Sequence, residues 1–412
     1  MEALLVLEDG TAFEGRSFGA PGGHRVPPVQ VGEVVFNTGM TGYQEIITDP
    51  SYRGQMVVMT YPHIGNTGIN DEDPESRRPH LRALIVRDAS LRESNWRANQ
   101  TLTRYLNAHG IMALTDVDTR ALTRHIRSHG ALRGAISTVD LDAASLQAKA
   151  QAAPTTSEQD LVAEVTCSEP YEWTEPVDEP WCPDLWLDAP DAQPVRAGRQ
   201  RTSAGRTRPH VVAYDCGIKH NILRHLAASG CRVTVVPAQT TAKEALALAP
   251  DGVFFSNGPG DPECAPYTVD SLRGLIGKVP IFGICLGHQL LGLALGGGIR
   301  KLKFGHHGSN HPVKDLRTGQ IAITAQNHNF VVDIDPIADQ VELTHVNLYD
   351  HTVEGMQHRS LPVFSVQYHP EAAPGPHDAN PLFERFVEMM ADRNPADKNL
   401  TNKNLADRNP RA

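Results

Sequence analysis

Two short stretches of the 412-residue chain carry side chains able to run nucleophilic chemistry together. The first is Gly283-Ile284-Cys285-Leu286-Gly287-His288-Gln289. An apolar run of strand length, Val279-Pro280-Ile281-Phe282, leads into it, and a helical apolar pattern at Leu290, Leu291, Leu293 and Ala294 follows. Strand, Gly-x-Cys-x-Gly and helix in succession is the layout of a nucleophile elbow, with Cys in the place of the more familiar Ser. Flanking glycines let the backbone turn tightly. The start of a helix offers free N–H groups and partial positive charge to a thiolate or a developing oxyanion. A buried structural cysteine at a strand-to-helix turn would share this spacing. The second stretch, Tyr368-His369-Pro370-Glu371 after the apolar run Pro362 to Gln367, supplies what a cysteine nucleophile needs: a base, and a carboxylate to orient it. With nineteen histidines in the chain a lone His means little, and His369 taken alone reads equally as a loop histidine. The order Cys, His, Glu behind two strand-like runs is more specific.

The elements that must hold these residues follow from the surrounding pattern. From His210 onward short apolar runs alternate with helical ones: Val211 to Tyr214, a helix through Ile222, Leu223 and Leu226, Val233 to Val236, a short helix from about Ala242, then Gly252 to Ser256. That alternation indicates an α/β, doubly wound, mainly parallel sheet. Sites in such sheets form at the carboxyl ends of strands, where Cys285, His369 and the loop Asn257-Gly258-Pro259-Gly260-Asp261-Pro262 all fall. Gly258-x-Gly260 is not a dinucleotide fingerprint: Glu263 stands where the third glycine would be, and Pro259 and Pro262 oppose prompt helix formation. No Walker-type phosphate loop occurs. His307-x-x-x-His311 would bind a metal only on a helix, which Gly308 and Pro312 oppose, so no metal site is expected. Gln326 to Phe330 reads as a polar turn between strands.

Residues 1 to about 138 look β-rich, with a hairpin at Asp9-Gly10, strands at Val34–Phe36, Met56–Tyr61 and Leu84–Val86, and helices near Thr101–Ala108 and Thr119–Ser128. The stretch Asn37 to Tyr52 reads as a structured loop with no assignable chemistry. Residues 150–195 carry acids and no Lys or Arg, whereas 195–208 carry five arginines and no acid, a composition break expected of an exposed linker. The tail from about 392 repeats Ala-Asp-Arg-Asn-Pro and is expected to be disordered. The expected domains are therefore 1–145, a connector at 146–209, 210–391, and the tail 392–412. A net charge of −10 argues against nucleic acid or anionic membrane as partner. There is no apolar run of spanning length and no basic, apolar leader. Six cysteines without CxxC spacing suggest reduced thiols in a cytoplasmic protein.

The elbow, the Asn257–Pro262 loop and His369-Pro370-Glu371 together resemble class I glutamine amidotransferases. Asn37 to Glu45, Asp49-Pro50-Ser51-Tyr52, Thr60 to Asn66, Phe304 to Gly308 and Asn310-His311-Pro312 sharpen the likeness to the small (glutaminase) subunits of carbamoyl phosphate synthetase. The resemblance spans about 1–145 and 210–390, leaving out the arginine linker and the tail. It implies that Cys285 attacks the glutamine side-chain amide, that His369 moves the protons and that Glu371 orients His369. It further implies an oxyanion hole from Leu286 and Gly258, and glutamine contacts from Ser51, Gly258, Gly260, Leu286, Gln289, Asn327, Asn329 and Phe330. Asn329 departs from the family, which usually has Gly there; an αL Asn would keep the backbone contact. The resemblance implies no cofactor on this chain. ATP and Mg belong on a separate large subunit, which receives the ammonia and makes carbamoyl phosphate from bicarbonate for arginine and pyrimidine synthesis. The rival readings are the glutaminase of another synthase, which would lack the first 145 residues, a docking subunit without activity, and a free-standing cysteine hydrolase acting on γ-glutamyl peptides or other amides.

Overall fold

The computed structural model describes residues 1–23, 26–175, 208–377 and 381–392. The arginine-rich linker up to 207 and nearly all of the repeat tail lie outside these residues.

Alternation of side chains along the first strands builds the N-terminal body. Seven strands close a barrel in the order Glu2–Leu7, Ala12–Ser17, Met112–Thr115, Ala83–Ile85, Gln55–Met59, Val29–Asn37 and Leu132–Ser137. Leu5 and Leu7 point into it with Val34, Met56, Val58, Ile85, Leu114 and Ile136, while Leu4 and Val6 face outward under Leu146 and Ala150. Those last two belong to the helix Ala143–Ala152, which packs on the barrel. The expected boundary at 145/146 falls inside this helix. The Asp9-Gly10 hairpin and the helices Leu102–Ala108 and Thr119–His129 form where expected, with Thr101 and Asp118 as side-chain N-caps.

The C-terminal body is a ten-stranded sheet. Its centre is parallel and runs Arg232–Pro237, His210–Asp215, Gly252–Phe255, Ile281–Ile284, Val363–Val366. Both faces are covered, which is why these strands are near-continuous apolar runs. Val212, Tyr214, Val253, Phe255 and Ile281 pack under the helices Pro266–Leu275 and Leu286–Leu295. Val211, Ala213, Phe254, Phe282 and Ile284 pack under His220–Ala228 and Pro381–Asp392.

The sheet is less parallel than the sequence pattern suggested. Tyr171–Trp173 adds an antiparallel edge on one side. On the other side Val353–His358, Val341–Asn347, Gly298–Asp315 and Ile321–Asp333 extend it, all antiparallel. Gln326 to Phe330 is thus inside a strand and not a turn, and His307 to His311 lie on the strand paired with it. The polar, glycine-punctuated composition of 304–312 hid that strand. The two bodies meet here, where the Thr38 N–H donates to the His307 carbonyl at 3.1 Å.

Candidate active site

Cys285 sits between the strand Ile281–Ile284 and the helix Leu286–Leu295, with φ 54° and ψ −105°. A positive φ is strained for a residue with a Cβ, and the elbow holds it by hydrogen bonds on both sides. The Cys285 N–H donates to the Val366 carbonyl at 2.9 Å, and the Gly287 N–H to the Ser256 carbonyl at 3.0 Å. Gly287 permits that approach, since a Cβ there would lie 2.2 Å from the Phe255 carbonyl oxygen. Gly258 is equally confined: a Cβ would meet the Cys216 carbonyl oxygen at 2.1 Å and the Leu286 side chain at 2.7 Å. The Gly258 backbone thereby lies beside Leu286, at the start of the helix. The first N–H groups of a helix have no partner within it.

His369 is tied to the strand Ile321–Asp333 by its N–H, which donates to the Ala325 carbonyl at 2.9 Å. Its Nδ1 pairs with Glu371 Oε1 at 2.6 Å, both residues fully enclosed, and its Nε2 has no hydrogen-bond partner among the described residues. Burial works against charge on His369, but the Glu371 carboxylate and the nearby Cys285 sulfur outweigh it and lift its pKa to about 10. For Glu371 burial pushes upward, and the Lys219 ammonium and His369 reverse this, holding the carboxyl well below its ordinary value.

Lys219 is the participant that the sequence did not disclose. It is buried at the turn after the strand His210–Asp215, with Nζ 3.0 Å from Glu371 Oε1 and 2.5 Å from the Ala372 carbonyl oxygen. Asn221 Nδ2 donates to the Glu371 carbonyl at 2.5 Å. The Asp215-Cys216-Gly217 turn signals a strand end, but Glu371 is 152 residues further along the chain, and no local pattern points to it.

One cleft gathers Ser51, Gly258, Gly260, Cys285, Gln289, Asn327, Asn329 and Phe330. Leu286, His369 and Glu371 do not line it; they stand at or behind the elbow. Gln55, Thr156, His307 and His328 line it too, and none of these was expected. Gln289 Nε2 donates to the Phe330 carbonyl at 2.9 Å, and Cys285 Sγ lies 3.6 Å from the Asn327 carbonyl oxygen.

Ser51 comes from the barrel body. The stretch expected to be a loop contains the helix Tyr43–Thr48 and a 3₁₀ turn Pro50–Tyr52, capped by Asp49, whose Oδ1 accepts from the Ser51 N–H at 2.8 Å. Asp49 Oδ2 accepts from Asn327 Nδ2 at 2.9 Å, and Asn257 Nδ2 donates to Ser51 Oγ at 2.9 Å. Asp-Pro-Ser is a turn signature, the one local clue to this corner. Asn329 is not among the residues with positive φ. As a strand residue it needs no αL conformation, and its side chain instead spans His307 Nε2 at 3.0 Å and Glu33 Oε2 at 2.7 Å. A larger cavity of about 390 Å³ near Tyr43, Glu45, Asp73 and Gly375 contains none of the elbow residues, so it is not the reacting cleft.

Comparison with known proteins agrees over about 95% of the chain. Residues 5–136 match the carbamoyl-phosphate synthase small chain, CPSase domain, and residues 212–389 match glutamine amidotransferase class-I. The carbamoyl phosphate synthase small chain of Syntrophotalea carbinolica is 56% identical over 95% of this chain and 98% of its own length. The chloroplastic small chain of Oryza sativa is 51% identical, over 94% of this chain and 82% of its own. That of a Synechococcus strain is 51% identical, over 95% and 94%.

Proposed function

Because the chain belongs to the carbamoyl phosphate synthase small-chain family, the glutamine-hydrolysing partner of a large subunit, we propose that Cys285, His369 and Glu371 carry out the hydrolysis. The Cys285 sulfur attacks the side-chain amide carbon of glutamine, forming the C–S bond while the carbonyl electrons move to oxygen. The N–H groups of Leu286 and Gly258 hold that oxyanion. His369 takes the Cys285 thiol proton as the sulfur attacks and, held charged by its pairing with Glu371, gives it to the departing nitrogen; collapse leaves a γ-glutamyl thioester and ammonia. Water then adds to the thioester with His369 as base, releasing glutamate and the thiol. Ser51, Gly260, Gln289, Asn327, Asn329 and Phe330 hold the amino acid in the cleft.

The observation that carries this reading is the 2.6 Å His369–Glu371 pair behind an elbow cysteine whose cleft contains residues of both bodies. Ammonia then passes to the large subunit, where ATP, Mg and bicarbonate complete carbamoyl phosphate for arginine and pyrimidine synthesis. Five free cysteines among the described residues fit a reducing, cytoplasmic setting, and no helix among those residues is long and apolar enough to cross a membrane.

The test is glutamine hydrolysis by the purified chain, alone and with a large subunit, beside Cys285→Ser. Slow turnover that rises with partner and ATP and disappears in the variant supports the proposal. Hydrolysis that survives Cys285→Ser removes the thioester route. Fast turnover indifferent to the partner would mean that coupling to synthesis is lost.

A further inference from the structure

Beside the cleft, whose lining includes His328, lies a second cluster on the strand Ile321–Asp333. His306 stands opposite His328 in the strand register, and Glu354 reaches them from Val353–His358. One ligand atom from each lies within 4.8 Å of the others, and all three residues are buried. His306 Nδ1 is 3.8 Å from Glu354 Oε1 and has no hydrogen-bond partner among the described residues.

With both rings neutral and Glu354 ionised, the hydrogen bonds of this cluster are left without enough protons. His306 Nε2 is engaged by Asp350 Oδ2 at 2.9 Å, so a neutral ring turns a bare Nδ1 lone pair toward a carboxylate. His328 Nδ1 lies 2.8 Å from the Phe330 carbonyl oxygen and must donate there, which in a neutral ring leaves Nε2 as an acceptor 2.9 Å from Gln326 Oε1, another acceptor. Turning the Gln326 amide would mend that contact, but Gln326 Nε2 already donates to Glu354 Oε2 at 3.0 Å, and the flip would set two acceptors together there instead. Glu354 Oε1 accepts from Asn347 Nδ2 at 2.9 Å and has a further lone pair, so with neutral rings acceptor atoms of His306, His328 and Glu354 lie together.

We propose that His306, His328 and Glu354 bind one divalent transition metal of the zinc class. Two imidazoles and a carboxylate suit such an ion. Asp350 on the far nitrogen of His306 is the outer partner that orients a metal-binding histidine. His311, whose Nδ1 is also buried and without a hydrogen-bond partner among the described residues and whose ring centroid is 5.0 Å from that of His306, could offer a fourth donor. Metal–ligand bonds of about 2.0–2.1 Å would draw the donor atoms to roughly 3.3 Å apart, a contraction that side-chain rotation can supply. The ion would fasten three strands of the sheet extension behind Asn327 and Asn329. The sequence concealed the site because His306 and His328 meet across strands, whereas spacing along the chain drew attention to His307 and His311.

The test uses the untagged full-length chain carrying Cys285→Ser, so that the elbow thiol and His369 offer no competing site. The protein is stripped with a chelator, titrated with Zn²⁺ and assayed for metal after gel filtration. One retained equivalent is expected, lost in Glu354→Gln and bound about 10–100-fold more weakly in Asp350→Asn. No retained zinc would overturn the proposal and leave a proton on Glu354 as the missing charge. Zinc retained at full strength by folded Glu354→Gln would overturn it too. Should that variant not fold, the partly exposed Asp350→Asn decides, since unchanged affinity there contradicts the site.

Discussion

At the scale of single residues, the chemistry depends on a charge balance in a dry place. Glu371 Oε1 touches both Lys219 and His369, so a fixed cation holds the carboxylate ionised and the carboxylate holds His369 protonated. The His369 proton must be present when ammonia leaves, so alkaline loss of activity should follow its loss from a group raised to about 10. Removing the carboxylate lowers that pKa, because an adjacent opposite charge is worth roughly 1–3 units. Glu371→Gln should therefore move the alkaline limb of the glutaminase kcat/KM profile down by about one unit or more. An unmoved limb in an active variant would mean that the limb belongs to another group. His369→Asn should slow thioester formation by roughly 10²–10⁴-fold, read as loss of the acyl-enzyme burst with glutamine binding retained. Near-normal bursts would remove His369 from the chemistry.

Elements explain why these residues could be found from sequence and others could not. Strands covered on both faces leave continuous apolar runs, and the elbow lies between such a run and a helix, so Cys285 and the parallel centre were legible. His369 and Glu371 follow another such run. Lys219 and Asp49 were not legible, because each acts on a residue far away in the chain; Asp49 and Asn327 are 278 positions apart. The helix Tyr43–Thr48 is one and a half turns long and starts at Gly42 without a side-chain cap, so neither periodicity nor capping announces it. The histidine-rich strand pair failed for another reason: its inward residues are polar, and alternation of apolar with polar is the usual strand signal. The elbow itself is an element-scale device, and Gly287 is its tightest point. In Gly287→Ala the new methyl must displace the Phe255 carbonyl or lift the helix from the sheet. Overpacking of this kind costs roughly 1–3 kcal/mol. The variant should melt earlier and lose labelling of Cys285 by an electrophilic glutamine analogue. Labelling at the normal rate would show that the turn tolerates a wider spacing than the structure implies.

For the whole molecule, the cleft belongs to neither body alone. The barrel contributes Ser51, Asp49 and Gln55, and the sheet contributes the elbow and the strand bearing Asn327 and Asn329. Glu33 also ties the barrel to that strand's surroundings. One carboxylate oxygen pairs with Lys301 at 2.7 Å, and the other accepts from Asn329 at 2.7 Å and Gln55 at 3.2 Å. Lys301 is 38% exposed, so its ion pair is screened and adds little alone; the amides of Asn329 and Gln55 are buried. Glu33→Ala should thus cost about 1–3 kcal/mol in urea unfolding. Because Asn329 and Gln55 both face the cleft, the same change should raise KM for glutamine by more than it lowers kcat. Stability lost with KM unchanged would mean that Glu33 only joins the two bodies. KM raised without loss of stability would mean that it orients Asn329 alone. Both effects together are expected if the interface that holds the bodies also shapes the substrate cleft.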